Sequence, residues 1–311
     1  MATTSGTSVF NLDLAELVEE AFERCGKELR SGYDLRTARR SINLLTIEWA
    51  NRGINLWTVE QGQIPMNSYQ AVYALPSDTI DLLDHVIRTN NGSQSNQIDI
   101  NITRISESTY STIPNKNTNG RPIQVWINRQ TGHSPTSATT TVVGGISNTD
   151  TTITVADASN LPLVGFITIG SELIAYQNIV GNQILNAWRG QNGTTATAHL
   201  SGAQVTVNNL PCINVWPTPN PPGDQYTFVY WRMRRIQDAG GGTNIGDIPF
   251  RFIPCMVAGL AYYLSIKLPE VSPERVAVLK ADYEQQWTLA EQEDREKAAI
   301  RFVPRNLFYY R

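Results

Sequence analysis

Between Thr136 and Asn209 lie 74 residues that hold only four charged side chains, Asp150, Asp157, Glu172 and Arg189, although the whole chain has 25 basic and 28 acidic ones. A charge-poor block between two charged stretches predicts one domain interrupted by another. The expected division is a body in two parts, 1–135 and 210–311, around an insert at 136–209. A length of 311 residues suits about two domains, and a 41% apolar content supports packed cores.

Local patterns divide the body into helix and strand. Leu14, Leu17, Val18, Ala21, Phe22, Cys25 and Leu29 recur at steps of three and four, which predicts a helix over about 14–30. Asp13 is its expected N-cap, Glu16 completes a capping box, and Ser31-Gly32 is the expected stop. A second helix is read from Asp34 through Leu35, Ala38, Ile42, Leu45 and Trp49 to Gly53. Strands are read at 56–66, 69–75, 97–105, 123–128, 212–216 and 226–233, where β-branched and aromatic residues cluster between turn residues. Helices return with the stripe Ile253, Val257, Leu260, Ala261, Leu264 and Leu268, which Pro269 ends. Ser272-Pro273 then reads as an N-cap followed by proline in the first turn, continuing through Val276, Leu279, Tyr283, Trp287 and Ala290.

The insert carries short strand candidates at 151–155, 166–169, 173–176 and 204–207, with glycines between them. Such spacing predicts a small β-barrel or sandwich. The fold class is therefore α+β: a helical body with β-strand segments, plus an inserted all-β barrel or sandwich-like domain. With one base and three acids, the insert offers neither an acid pair nor a charged triad for catalysis, and a polar presenting surface is the expectation.

Few residues suggest chemistry. His85, His133 and His199 lie far apart, without ligand-like neighbours, so no metal site is expected; a turn hydrogen bond is the reading for His199. Glu16, Glu19 and Glu20 resemble glycosidase acids only in type. That reaction needs two carboxylates about 5 to 9.5 Å apart across a sugar, and neighbouring helical residues point to different azimuths. Gly240-Gly241-Gly242-Thr243 lacks the Lys of a phosphate loop and reads as a flexible loop. No cofactor is expected. Cys25, Cys212 and Cys255 are odd in number and widely spaced, which predicts reduced thiols. Residues 1–8 lack the features of a signal peptide, and no run reaches the roughly 20 apolar residues of a membrane helix. Arg232, Arg234 and Arg235 beside Trp231 admit a nucleic-acid patch or, preferred, salt bridges to Asp and Glu of a neighbouring subunit. A net charge of −3 gives no general attraction to nucleic acid. Residues 291–297 read as a solvated helix face. Beyond them, Arg301 to Arg311 is rich in aromatics and Arg, the residues that interface hot spots favour, so docking to another chain is expected there.

The paired N-terminal helices are followed in order by Ala74-Leu75-Pro76-Ser77-Asp78, Pro114-Asn115-Lys116 with Gly120-Arg121-Pro122, Trp216-Pro217-Thr218-Pro219, and Ile248-Pro249 before the apolar helix. In that order these pieces resemble the head-to-tail adaptor (tail accessory factor, or connector) proteins of short-tailed bacteriophages. The resemblance covers most of 10–130 and 210–305. The insert separately resembles a β module of phage tail proteins through 152–155, Ile169-Gly170-Ser171-Glu172, Tyr176, Leu185, Arg189-Gly190, Gly193-Thr194, Ala198-His199 and Gly202. The resemblance implies a non-enzymatic virion protein of the neck or tail, assembled in the host bacterial cytoplasm. Its copies would form a ring, expected to be a dodecamer, that joins the portal to the tail, extends the DNA channel and takes part in DNA ejection. Expected partners are further copies, the portal, and nozzle, tailspike or fibre proteins, with double-stranded DNA passing unbound. Arg301, Phe302, Arg305, Leu307, Phe308, Tyr309, Tyr310 and Arg311 are the expected portal contacts. Two other readings stay open: a tail-borne peptidoglycan hydrolase, and a module that binds host-surface glycans.

Overall fold

Asp13 opens helix α1 (Leu14–Arg24) with both halves of a capping box. The Glu16 N–H donates to Asp13 Oδ1 at 2.8 Å and the Asp13 N–H to Glu16 Oε2 at 3.1 Å. The helix stops at Arg24 rather than near residue 30. Gly26 takes φ +74°, its N–H donates to the Glu23 carbonyl, and the Lys27 N–H reaches back to the Phe22 carbonyl. That is a Schellman stop, which a left-handed glycine forms without a Cβ clash; the apolar spacing of Cys25 and Leu29 hides it in the sequence. Helix α2 (Gly32–Arg52) ends at Gly53, φ +91°. The computed structural model describes residues 4–29, 32–53, 56–129, 138–221 and 226–295.

The chain then turns extended. In order come β1 (Val59–Pro65), β2 (Val72–Ala74), β3 (Thr79–Thr89), β4 (Ile98–Asn101), β5 (Thr103–Ile105), the short helix α3 (Glu107–Ser111), β6 (Asn119–Gly120) and β7 (Gln124–Asn128). The charge-poor segment contributes β8 (Thr139–Thr141), β9 (Ile153–Thr154), β10 (Gly165–Ile169), β11 (Glu172–Tyr176), β12 (Asn178–Val180), β13 (Gln183–Leu185) and β14 (Gln204–Asn208). After it come β15 (Cys212–Trp216), β16 (Thr218–Pro219) and β17 (Tyr226–Arg234), then α4 (Ile253–Ser265) and α5 (Pro273–Glu293). The protein is mixed α+β, with five helices and five sheets among the described residues, none of them closed into a barrel.

Contacts divide the chain into two compact units, 1–57 with 236–311, and 58–235. In the first, α1, α2 and α5 surround α4. Ten of the thirteen α4 residues are buried, so it is covered all round rather than along one stripe. Gly259 lies where α4 meets α2 and α5: a Cβ there would sit 2.8 Å from Leu45 Cδ2 and 2.9 Å from Tyr283 Cε2. The sequence-predicted caps of α5 are present, with Ser272 accepting from the Arg275 N–H and Pro273 in the first turn.

In the second unit, two four-stranded sheets, β1-β17-β3-β4 and β2-β15-β7-β5, share a core that includes Tyr73, Leu82, Ile87, Val125, Ile213 and Phe228. The sequence pattern does not predict the long strand β3, because Asp81, Asp84, His85 and Arg88 break its apolar run. Pairing to other strands accommodates Arg88 and Asp81: Arg88 grips Asp99 on β4 at 2.7 and 2.8 Å, and Arg104 on β5 bonds Asp81 at 2.9 Å. The insert's strands form two smaller sheets, β11-β10-β14-β8 and β12-β13-β9, around their own core of Val142, Ile153, Ile167, Ile174, Ile184 and Val205. Of the expected barrel or sandwich, no closed barrel is formed among the described residues. Strands of two to five residues leave open edges, and only isolated bridges such as Val142–Val155 and Ala175–Trp188 link them further. Phe166, Leu173 and Ala175 of the insert pack with Ala74 and Cys212 of the neighbouring sheet, and Gln70 Nε2 donates to Gln191 Oε1 at 2.9 Å.

Candidate functional site

The densest polar arrangement lies in the segment with fewest charges. Glu172, at the start of β11, is 0% exposed, and five donors converge on its two oxygens. Arg189 holds them side-on, Nε to Oε1 at 2.8 Å and Nη2 to Oε2 at 2.7 Å. His199 Nε2 lies 2.7 Å from Oε2, and the N–H groups of Gly190 and Thr197 donate at 3.1 Å each. Arg189 also donates to the Ser147 and Thr197 carbonyls. Burial by itself raises the carboxyl's pKa, yet Arg189, His199 and the two amides outweigh it and hold Glu172 down at about 2. The sequence suggests no charged triad here and a turn hydrogen bond for His199; the structure instead brings Glu172, Arg189 and His199 together. A carboxylate saturated by five donors has no lone pair aimed at a substrate. The network ties β11 to the 189–199 segment as a fastening of the fold. The other two insert charges are turn acceptors: Asp150 takes the Ser147 N–H at 2.7 Å and Asp157 the Ser159 N–H at 2.9 Å.

The three arginines of β17 and its end are likewise engaged. Arg232 Nη2 donates to Glu60 Oε2 at 2.8 Å and its Nη1 to Asp78, while Arg234 Nε reaches Glu60 Oε1 at 2.6 Å. The Arg235 N–H bonds the Asp78 carbonyl at 2.9 Å. The sequence expected carboxylates of a neighbouring subunit; the carboxylates found are Glu60 and Asp78 of the same chain. Neutralised in this way, Arg232 and Arg234 do not present the charge that a phosphate backbone needs.

Other sequence candidates stay apart. His85 stacks on Phe228 with ring centroids 5.9 Å apart, and burial pushes its pKa down, helped by the nearby Arg104 charge. His133 and the whole 301–311 tail lie outside the described residues. Among those described, no group of three His, Cys, Asp or Glu side chains is placed to hold a metal, and no helix is long and apolar enough to cross a membrane. Glu16 caps its own helix and Glu20 bonds Arg24 at 3.0 Å, so neither is set up as a glycosidase acid. The glycine-rich loop serves α1: the carbonyls of Gly242 and Asn244 accept the otherwise orphaned N–H groups of Ala15 and Leu14 at 2.9 Å. At residues 291–297, Glu293 pairs with Arg251 at 2.7 Å, and Lys297 lies outside the described residues.

Burial raises the thiol pKa of Cys25 to about 11 and those of Cys212 and Cys255 to about 12. The thiolate is the reactive form. Native protein at pH 8 is therefore expected to react with an aromatic disulfide reagent at less than about a hundredth of the rate of unfolded chain. A stopped-flow trace with one fast native thiol would contradict this.

Two further surfaces are formed by the helical unit. Helix α2 buries Ala38, Ile42, Leu45 and Trp49, yet it also exposes Tyr33, Leu44 and Ile47 on its opposite side, together with Arg36 and Arg40. At about 100° per residue, Tyr33, Arg40, Leu44 and Ile47 share one face. The adjacent Leu44-Leu45 pair was the available signal, because neighbours in a helix cannot both face one core. In the same unit, a groove of about 400 Å³ between α1 and the start of α4 is lined by Phe10, Pro254 and Val257 and by Glu16, Glu19 and Glu23. Comparison of the sequence with protein-family models and with curated proteins finds no match to either.

Proposed function

We propose that the protein is a non-enzymatic bacteriophage virion component, a head-to-tail adaptor whose copies form a ring, expected to be a dodecamer, between portal and tail. The observation that carries this reading is the outer face of α2, where Tyr33, Leu44 and Ile47 stand exposed although their helix already has a complete buried face. Leu44, 53% exposed, lies away from the buried face of its helix and, with Tyr33 and Ile47, suits a surface that another chain covers. The sequence resemblance supplies the identity of the assembly. It also supplies the role of 1–135 and 210–311 as a helical-bundle adaptor body. The engagement of Glu172, Arg189, Arg232 and Arg234 in internal pairs agrees with a structural part. In this reading the 301–311 tail grips the portal, the insert docks a nozzle, tailspike or fibre protein, and DNA passes through the ring without specific binding.

Electron microscopy of particles tests the reading directly. A circular layer of this protein beneath the portal vertex is expected, and its absence would end the proposal. Deleting 301–311 is expected to weaken binding to portal rings at least about tenfold, the scale of losing an aromatic hot spot; unchanged affinity would remove the tail's role. Excising the insert would uncover Ala74 and Cys212, which Phe166 and Leu173 cover. Polar substitution of the exposed Leu163, Val180 and Leu200 is the gentler probe of appendage docking.

A further inference from the structure

We infer that the exposed face of α2 docks into the α1–α4 groove of a second copy of this chain, forming the head-to-tail junction of the ring. This rests on the ring reading above and names the surfaces that close it.

The two surfaces are complementary in charge. Arg36 and Arg40 on α2 have no ion pair among the described residues, and neither do Glu19 and Glu23 in the groove, while Arg24 and Arg52 of the same unit pair with Asp282 and Glu284. They are complementary in apolar content as well. Leu44 and Ile47 continue the arginine face toward the C-terminus of α2, and Phe10, 76% exposed, continues the acidic face past the N-terminus of α1.

The spacing agrees. Arg36 and Arg40 are four residues apart, as are Glu19 and Glu23, a rise of about 6 Å in each helix. Laid antiparallel, α2 places Arg36 against Glu23 and Arg40 against Glu19, and carries Leu44 and Ile47 toward Phe10 and Pro254. Pairing either surface with itself brings like charge together, arginines in an α2–α2 contact and glutamates in a groove–groove contact, with no opposite charge to offset it. The heterologous contact is the one that is complementary in charge, and repeated heterologous contacts generate closed rings when the rotation closes.

The test uses full-length chain with purified portal, and ring assembly followed by sedimentation and electron microscopy. Two charge-reversed proteins are made, R36E/R40E and E19R/E23R. Each alone is expected to need on the order of a hundredfold more protein to assemble, because like charges meet at every junction. Mixed in equal amounts, the two are expected to restore assembly, since each reversed face then meets a reversed groove. Restoration also shows that both variants fold. Wild-type rings together with unaffected single variants, or with a mixture that does not recover, would overturn the junction and leave the ring reading standing. Wild-type chain that forms no ring on the portal would overturn both.

Discussion

Glu172→Gln is expected to lower the unfolding free energy of the 58–235 unit by about 3–5 kcal/mol, the usual cost of leaving one partner of a buried ion pair uncompensated. Arg189 is the partner, its side chain only 6% exposed. The amide would keep one oxygen but turn an NH2 toward groups that are already donors, so at least two of the five hydrogen bonds are lost. Urea unfolding monitored through tryptophan fluorescence measures the effect, and a loss below about 1 kcal/mol would sink it. The double variant Glu172→Leu with Arg189→Met is expected to lose less than Glu172→Gln alone, because no charge is then stranded. The pH dependence has a definite sign. A carboxyl held near 2 in the folded chain, against an ordinary 4.5, contributes stability that is fully present above about pH 4.5 and is lost as the pH falls toward 2. Wild type and Glu172→Gln should therefore converge in stability across that window. A constant gap would show that Glu172 is not the titrating group.

Trp49→Ala carries the second large effect, an expected loss of about 3–5 kcal/mol from the helical unit. Trp49 is 0% exposed, lies 6.1 Å from Phe252 and 6.0 Å from Trp287 between ring centroids, and donates Nε1–H to the Tyr283 hydroxyl at 3.2 Å. Alanine would open a cavity where α2, α4 and α5 meet and remove one partner of Tyr283. Trp49→Phe keeps most of the volume and loses the donor, so its cost should fall to about 1–2 kcal/mol. Far-UV circular dichroism during denaturation follows the helical signal. Equal losses for the two variants would rule out cavity formation as the cause.

How much of this was legible in the sequence depends on the range of the interaction. The capping box of α1, Gly53 after α2, Pro254 in the first turn of α4 and the Ser272-Pro273 start of α5 are all visible in windows of a few residues, and each stands in the structure. Strands β15 and β17 were legible for the same reason, since their β-branched and aromatic runs are continuous. Strand β3 was not, because its charges are tolerated through partners outside it, Asp99, Arg104 and Arg129. The Glu172 network left a compositional trace: a segment with a single base and a buried acid has few ways to neutralise either. That trace did not name His199.

What the sequence determined by itself was local: where helices begin, most of where they end, which runs are extended, and that 136–209 differs in composition from its flanks. Those features follow from caps, periodicity and turn residues, whose energies depend on neighbours three or four positions away. Only the tertiary structure decided which distant groups meet. It placed Arg189 and His199 on Glu172, gave Arg232 the carboxylates of Glu60 and Asp78, buried α4 on every side, and left a second apolar face of α2 open. Such choices are made when the chain closes on itself, because desolvation forces each buried charge to find a partner wherever the fold has brought one.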